Sequence, residues 1–444
     1  MRILIVGAGE VGSSIAANLA KNHDVVVIET DEAVVEDLNF SLDVLAVQGD
    51  GTDLEVLEEA DVRRADMVIA ATDSDETNIV ISGTAKTIAD IFTIARVKRR
   101  RLLTTWEQSQ GAFGVDFMVC TDLISAEAIF RTSEVPNAHD VDTFANGLIR
   151  MVELNIEVGS PIAGQRVADV DIAETLTFAG IFRDDELIVV TGDTTIEAGD
   201  KLVVIGSQEA VQDFAAETAV ESPNGIDDVV IIGGSEVGYQ TARLFEANGY
   251  HPRLIEQDRY RARELSELLT DTTVMESDAT DTEFLKRENV GDADVVIVCL
   301  ESNEKNLLAS LLARKIGAKR TLAIVETAEY ADLFEEIGVN IAIDPRLETA
   351  EEIVRFTREG HTEKVVMLQH DRAEVLEVEI DDTSWVAGRE LVDVVDELPD
   401  GVVIGAISRD GELLGPRGAT VFEPGDHVVV FVDATVLDEI IHRF

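Results

Sequence analysis

The chain repeats itself, and no other feature limits its fold as tightly. ILIVGAGEVG at 3–12 returns as VVIIGGSEVG at 229–238, an offset of 226. QGDGTDLEVL at 48–57 returns as ESDATDTEFL at 276–285, and ADMVIAATDSDETN at 65–78 as ADVVIVCLESNEKN at 293–306, both at an offset of 228. IAGQRVADV at 162–170 matches VAGRELVDV at 386–394, and IEAGDKLVVIG at 196–206 matches FEPGDHVVVFV at 422–432. Five matches in one order at near-constant spacing mean two tandem copies of one unit.

Each half opens with short apolar segments separated by amphipathic ones. In the first half the strand patterns are Arg2–Val6, Asp24–Glu29, Val44–Gln48, Met67–Ala71, Phe92–Arg96 and Phe117–Cys120, with helical patterns such as Val11–Lys21 and Thr77–Ala89 between them. Apolar strands alternating with helices specify a parallel sheet covered on both faces. The back modules, about 135–220 and 360–444, are short and strand-rich. Each carries a hairpin signal at the matching place, Phe182-Arg183-Asp184-Asp185-Glu186 and Ser408-Arg409-Asp410-Gly411-Glu412, and Asp-Gly favours a two-residue turn. The fold class is therefore α/β: two Rossmann-like doubly wound parallel sheets, each followed by a small α+β domain. Module boundaries are expected at 1–134, 135–221, 225–358 and 359–444, with Ser222-Pro223-Asn224-Gly225 as the linker between halves.

Gly7-Ala8-Gly9-Glu10-Val11-Gly12 follows a strand and opens a helix, the context a phosphate-binding glycine turn requires. Gly7 permits the tight turn, Gly9 lets a pyrophosphate approach the backbone, and Gly12 lets the helix pack against the sheet. Amides at the helix start then face the phosphates. Glu29 lies 22 residues after Gly7 at the end of the second strand, where a carboxylate accepts ribose hydroxyls and favours NAD over NADP. Two further segments border the same crevice: Asp50-Gly51-Thr52 after the third strand, and Thr72-Asp73-Ser74-Asp75-Glu76-Thr77-Asn78 after the fourth, which also suits a helix cap. Arg96 and Lys98 end the fifth strand, where an arginine reaches phosphates or a basic pair is solvated.

Charge excludes one function class. Asp plus Glu number 88 against 36 Lys plus Arg, a net charge of −52, so no basic stripe exists to bind nucleic acid. Only nine of the basic residues are lysines. Acids interspersed along a lysine-poor chain suggest work in multimolar salt, where a Debye length of about 3 Å screens self-repulsion. Cys120 and Cys299 sit in apolar runs and read as reduced core residues. Met1-Arg2 leads straight into a strand with no secretory signal, and no apolar run approaches the roughly 20 residues of a membrane helix.

GAGEVG, GDGT, TDSDETN and IARVK, followed by a small β module and then repeated, resemble the peripheral nucleotide-binding subunits of Trk potassium-uptake systems. Those proteins hold two copies of the RCK or KTN unit, each with a C-terminal companion domain, and the resemblance covers the whole chain. The acidic composition resembles the versions from halophilic archaea. The resemblance implies a cytosolic, peripheral homo-oligomeric ring, a tetramer, on a membrane-embedded potassium-translocating subunit. It implies NAD, NADH or adenine nucleotides such as ATP and ADP as ligands that bias the gate. On it, Gly7, Gly9, Val11 and Gly12 would cradle phosphates and Glu29 the ribose. Asp50, Gly51 and Thr52 would lie near the adenine, and Thr72, Asp73 and Arg96 would line the rest.

The second half departs from this pattern. Gly233, Gly238, Glu256 and Asp278 persist, but Ser235 replaces the second glycine. Leu300 and Glu301 stand for Thr72 and Asp73, Ile324 for Arg96, and Glu326 for Lys98, which predicts a weaker or purely structural second site. A dehydrogenase is the main rival reading, and it needs a His or Lys beside the nicotinamide. The seven histidines (23, 139, 251, 361, 370, 427 and 442) match neither between halves nor to a crevice loop, so the expectation is a sensor and not an enzyme. No metal-ligand spacing appears. A soluble sensor for another transporter is the other alternative.

Overall fold

The computed structural model spans residues 1–444 and describes all of them except 22, 110–111, 185, 221–225, 358–361, 369–371, 442 and 444. The expected linker at 222–225, Asp185 of the first hairpin and His361, His370 and His442 lie outside the described residues. Contacts divide the chain into two compact units, 1–129 with 229–357 and 130–228 with 358–444. The repeat runs half by half, whereas the contacts group front module with front module and back with back.

In the first unit the front module of the first half runs β1 (Arg2–Val6), α1 (Glu10–Leu19), β2 (Asp24–Glu29), α2 (Glu32–Ser41), β3 (Leu45–Gln48), α3 (Leu54–Glu59), β4 (Met67–Ala70), α4 (Asp75–Ile88), β5 (Phe92–Val97), α5 (Arg100–Gln108), β6 (Phe117–Cys120) and α6 (Thr121–Glu134), the last helix running past residue 129 into the second unit. Its six strands pair in parallel in the order β3-β2-β1-β4-β5-β6. β1 and β4 sit at the centre, with Ile3, Ile5, Val68 and Ile69 fully buried, which is why their segments are apolar without alternation. Helices start where short polar side chains accept first-turn amides: Asp31, Asp53 and Ser74 cap α2, α3 and α4. The Ser74 cap starts α4 two residues earlier than the periodicity of Thr77–Ala89 suggests.

The back module of the first half, in the second unit, follows as β7 (Ala138–Phe144), β8 (Ile149–Asn155), β9 (Leu176–Arg183), β10 (Glu186–Val189), β11 (Lys201–Ser207) and α7 (Gln208–Thr218). The front module of the second half repeats the first as β12 (Val229–Ile232), α8 (Glu236–Ala247), β13 (Arg253–Glu256), α9 (Arg259–Leu268), β14 (Thr273–Glu276), α10 (Thr282–Arg287), β15 (Val295–Val298), α11 (Asn303–Ile316), β16 (Arg320–Ile324), α12 (Ala328–Ile337), β17 (Ile341–Ile343) and α13 (Pro345–Thr357). Its sheet order, β14-β13-β12-β15-β16-β17, is the same and all parallel. Within the first unit α13 packs along α1. Phe356 of α13 stacks on Phe117 at 4.1 Å and Phe92 at 5.4 Å, and Arg100 Nη1 donates to Gln240 Oε1 at 2.6 Å.

The last module comprises β18 (Thr362–Leu368), β19 (Ala373–Glu379), α14 (Leu391–Val395), β20 (Val402–Arg409), β21 (Glu412–Leu414), β22 (His427–Asp433) and α15 (Leu437–Ile441). The two sheets of the second unit, β10-β9-β11-β8-β7 and β18-β19-β22-β20-β21, are antiparallel and share one topology. Asp410 (φ 52°) and Gly411 (φ 79°) form the expected hairpin turn between β20 and β21. Alternate residues of the central strands serve different cores. Leu202 and Val204 of β11 face their own module, while Val203 and Ile205 join Val429 and Phe431 of β22 in a core shared by both sheets. Gly180 permits this approach, because a Cβ there would lie 2.7 Å from the Phe431 ring. The uninterrupted apolar runs of β11 and β22 are explained by this pairing of the two β modules.

Candidate functional site

Strand order reverses at β1, whose neighbours β2 and β4 send their following loops to opposite sides and open a crevice at the carboxyl edge. The turn leaving β1 is built by glycine. Gly7 has φ +97°, and a Cβ on Gly12 would stand 1.8 Å from the Gly7 carbonyl oxygen. Gly9 differs, since a Cβ there would meet nothing within 4 Å. Gly9 is the N-cap of α1 and supplies no side-chain acceptor, so the first-turn amides of this helix go without the cap that α2, α3 and α4 possess.

The space in front of this turn is a cleft of about 710 Å³, within the usual range of roughly 300–1,000 Å³ for small-molecule sites. Of the residues singled out from sequence, Gly7, Gly9, Val11, Glu29, Asp50, Gly51, Thr72, Asp73 and Arg96 line it. Gly12 and Thr52 do not, and both act from behind. Gly12 lets α1 meet the turn, and Thr52 donates its amide (2.9 Å) and hydroxyl (2.7 Å) to Asp50 Oδ1. Those two bonds hold the Asp50 carboxyl below the usual range.

Glu29 does more than the sequence suggests. Its Oε2 accepts the Ala8 amide at 2.7 Å, and its Oε1 accepts the Thr30 amide and hydroxyl and the Asp31 amide at 2.6, 2.8 and 3.0 Å. Partial burial is the largest single influence on its proton and opposes ionisation. The four hydrogen bonds together outweigh it and hold the carboxyl below its ordinary 4.5. The side chain is thus an ionised clamp on the glycine turn, with Oε2 retaining acceptor capacity toward the cleft.

Arg96 is buried, 3% exposed, and is not the solvated residue that a lone basic pair suggests. Its Nε donates to Thr121 Oγ1 at 3.1 Å, and its Nη1 lies 3.4 Å from both the Thr72 carbonyl and the exposed Asp73 carboxylate. Lys98 approaches the same carboxylate at 3.5 Å. A buried guanidinium facing a cleft through two long contacts is suited to an anionic ligand. The Thr72 loop is fixed by buried Asn78, whose Oδ1 accepts the Thr72 amide and hydroxyl and whose Nδ2 donates to the Thr72 and Arg96 carbonyls. Asn306 repeats these bonds to the Leu300 backbone and the Ile324 carbonyl, and the recurring asparagine in the aligned segments was the signal for it.

Arg346, from the second half, also lines the first cleft. It is ion-paired with Glu10 at the start of α1. Motif reading around residue 7 has no means of finding a residue 339 positions away. The signal lay in the repeat: at the offset of 224, Arg346 stands opposite Asp122, a reversal of charge.

In the second half Gly233 (φ +104°), Gly238, Glu256 and Asp278 rebuild the same scaffold. A Cβ on Gly238 would stand 2.1 Å from the Gly233 oxygen, Glu256 Oε2 accepts the Gly234 amide at 2.6 Å, and Asp278 Oδ1 accepts the Thr280 amide and hydroxyl. The mouth of the turn differs. Ser235 Oγ accepts the Gly238 amide at 3.2 Å, capping α8, and the Arg261 Nε donates to the Gly234 carbonyl at 2.8 Å. Cys120 and Cys299 are both free and buried, and burial pushes their thiols up to about 11 and about 12. Among the described residues no cluster of His, Cys, Asp and Glu could hold a metal ion, and no helix is long and apolar enough to cross a membrane.

Two parallel-sheet modules with a phosphate-type glycine turn, each followed by a small antiparallel module, define a tandem RCK architecture. The chain superposes on the GsuK RCK domain with a TM-score of 0.60 at 20% identity, covering 99% of this chain and 94% of that one. A GsuK channel solved bound to NAD gives the same TM-score at 19% identity over 99% of this chain and 78% of that one. The TrkA-N domain model matches residues 3–120 and 229–345, and the TrkA-C domain model matches 151–219 and 375–444. The chain belongs to the TrkA family of Trk potassium-uptake proteins. It is 34% identical to the Trk system potassium uptake protein TrkA homolog 1 of Methanosarcina mazei, over 99% of both chains. It is 35% identical to the homolog of Archaeoglobus fulgidus, again over 99% of both, and 32% identical to TrkA of Halomonas elongata over 97% of this chain and 96% of that one.

Proposed function

We propose that this chain is a nucleotide-sensing regulatory subunit of a Trk-type potassium-uptake system, with the first cleft as its principal sensor. One observation carries the reading: a glycine turn with no side-chain cap opens on a cleft that a buried arginine faces. Backbone amides at Gly9 and Val11 would hold phosphates, Arg96 would add charge, and Glu29 Oε2 would accept a ribose hydroxyl. Asp50 and Gly51 would border the adenine, and Thr72 and Asp73 the far end. NAD and NADH, then ATP and ADP, are the ligands to test first, since a channel of the same fold was solved with NAD.

We read the site as one that binds without turnover, which recovery of the ligand unchanged would test. The second site, around Gly233, Gly238, Glu256 and Asp278, is weak or structural because Ser235 already occupies the helix start. The four modules bounded at 134, 221 and 358 assemble in a homo-oligomeric, tetrameric ring on the inner face of the membrane, against the potassium-translocating subunit. Ligands that differ in affinity for two ring shapes shift the gate, and tenfold requires only about 1.4 kcal/mol of difference. The acidic surface fits function in molar salt.

Calorimetry on the full chain in molar KCl, with NAD, NADH, ATP and ADP, tests this. Saturable binding of at least one of them, with the ligand recovered unchanged, is expected. No binding of any of the four, or NADH consumed, would overturn the reading.

A further inference from the structure

Arg346 belongs to the second half by sequence and to the first cleft by position. It lies in the first turn of α13, pairs with Glu10, and donates from Nη1 to the Glu326 carbonyl at 2.8 Å. Glu10 is the first residue of α1 and itself lines the cleft beside Gly9 and Val11. An acid in the first turn suits the helix dipole, yet at the mouth of a phosphate turn it repels the ligand. Arg346 cancels that repulsion.

The repeat shows that this is a difference between the two halves and not general packing. The counterpart of Glu10 is Glu236 at the start of α8, and the counterpart of Arg346 is Asp122. Asp122 lies near enough to Glu236 to feel its charge. Glu236 pairs instead with Arg261 of its own half, Nη2 to Oε2 at 3.9 Å, so the arginine that meets the acid comes from the other half only at the first turn. The second half thus lends a cation to the first cleft.

Resting on the nucleotide reading above, we propose that Arg346 reads phosphate charge. It exchanges Glu10 for the outermost phosphate of the bound nucleotide, so the cleft ranks nucleoside triphosphate over diphosphate over monophosphate. Glu10 is the partner that holds Arg346 at the cleft in the absence of that phosphate. Because Arg346 is carried on α13, the exchange ties occupancy of the first cleft to the second front module.

The test is calorimetric titration of the full chain with ATP, ADP and AMP, using wild type, Arg346→Ala and Glu10→Gln. Arg346→Ala should weaken ATP about tenfold or more, the scale of one lost charge-assisted hydrogen bond, and AMP much less, which compresses the ranking. Glu10→Gln breaks the same ion pair and should nevertheless tighten ATP, since it frees Arg346 and removes a repelling charge. An ATP-to-AMP ratio unchanged by Arg346→Ala would overturn the inference. So would Glu10→Gln weakening ATP as Arg346→Ala does, because the pair would then be only a brace. A wild type that binds NADH but none of the three removes this inference and leaves the nucleotide reading standing. One that binds none of the four removes both.

Discussion

The two glycine turns share a scaffold and differ at the mouth. In both, a glycine at positive φ begins the turn, a later glycine lets the helix close on it, and a carboxylate at the end of the next strand grips the amide after the first glycine. In both, an aspartate after the third strand accepts a threonine two residues on. These features are needed to form the turn and say nothing about a ligand. The differences do. Gly9 leaves α1 uncapped where Ser235 caps α8, Arg96 stands where Ile324 stands, and Arg346 faces Glu10 where Asp122 neighbours Glu236. The same scaffold therefore forms with either mouth, and the residues that keep the turn in shape are poor indicators of binding.

The sharpest way to break this comparison is to strike the shared part. Gly12→Ala and Gly238→Ala each place a Cβ about 2 Å from a carbonyl oxygen and should each destabilise the protein by roughly 1–3 kcal/mol, the usual cost of overpacking. Thermal unfolding in molar KCl checks this, and equal losses in both halves are expected. Only Gly12→Ala should also abolish nucleotide binding. If Gly238→Ala abolished it while Gly12→Ala did not, the assignment of the principal site would be reversed.

A smaller effect comes from exchanging the mouths. Gly9→Ser introduces the cap of the second half into open space. It should leave stability unchanged or raised by a few tenths of a kcal/mol, and lower nucleotide affinity about tenfold by taking one amide from the phosphate. Unaltered affinity by calorimetry would show that the uncapped helix start is not the phosphate site.

The smallest effect is expected at Asp122. Burial first, then the charge of Glu236 and to a lesser degree Asp75, pushes its carboxyl up to about 6, against the weaker pull of Lys98 and Arg96. The folded state thus binds this proton more tightly than the unfolded chain, whose carboxyl stays near 3.8. Stability falls as pH rises from about 4 to about 6 and stays reduced above that. Asp122→Asn should be neutral at pH 3.5 and stabilising by about 1 kcal/mol at pH 7 after solvent screening. Equal unfolding midpoints for both proteins across that range would show that neither burial nor Glu236 acts on Asp122.

Much of the fold was legible because its signals are local or periodic. The six strands from Arg2–Val6 to Phe117–Cys120 needed only apolar runs, with the limits of β3, β4 and β5 each displaced by one residue, and the hairpin at Asp410-Gly411 needed only its turn residues. Most of the cleft was legible for the same reason, since Glu29 ends a strand and Gly7, Gly9, Asp50 and Thr72 follow strands of the same sheet, and the sheet order brings those strand ends together. Function was less legible residue by residue. Glu29 suggested a ribose acceptor, yet Glu256 makes the same clamp beside a capped turn, so an acid at that position has a backbone role of its own. Arg96 was ambiguous because a string of residues does not say which basic group is buried.

The sequence alone determined that there are two copies of one unit, that each copy begins with a parallel sheet and a glycine turn, and that the copies have diverged at the turn. Those properties depend on residue identity and spacing along the chain. Tertiary structure decided that like modules pair with like, that β11 and β22 share a core, and that Arg346 lies at the first cleft. These follow from contacts between surfaces more than 200 residues apart, which are chosen by shape and by the burial of whole faces, so a residue such as Arg346 shows its difference from its counterpart in sequence but not its place.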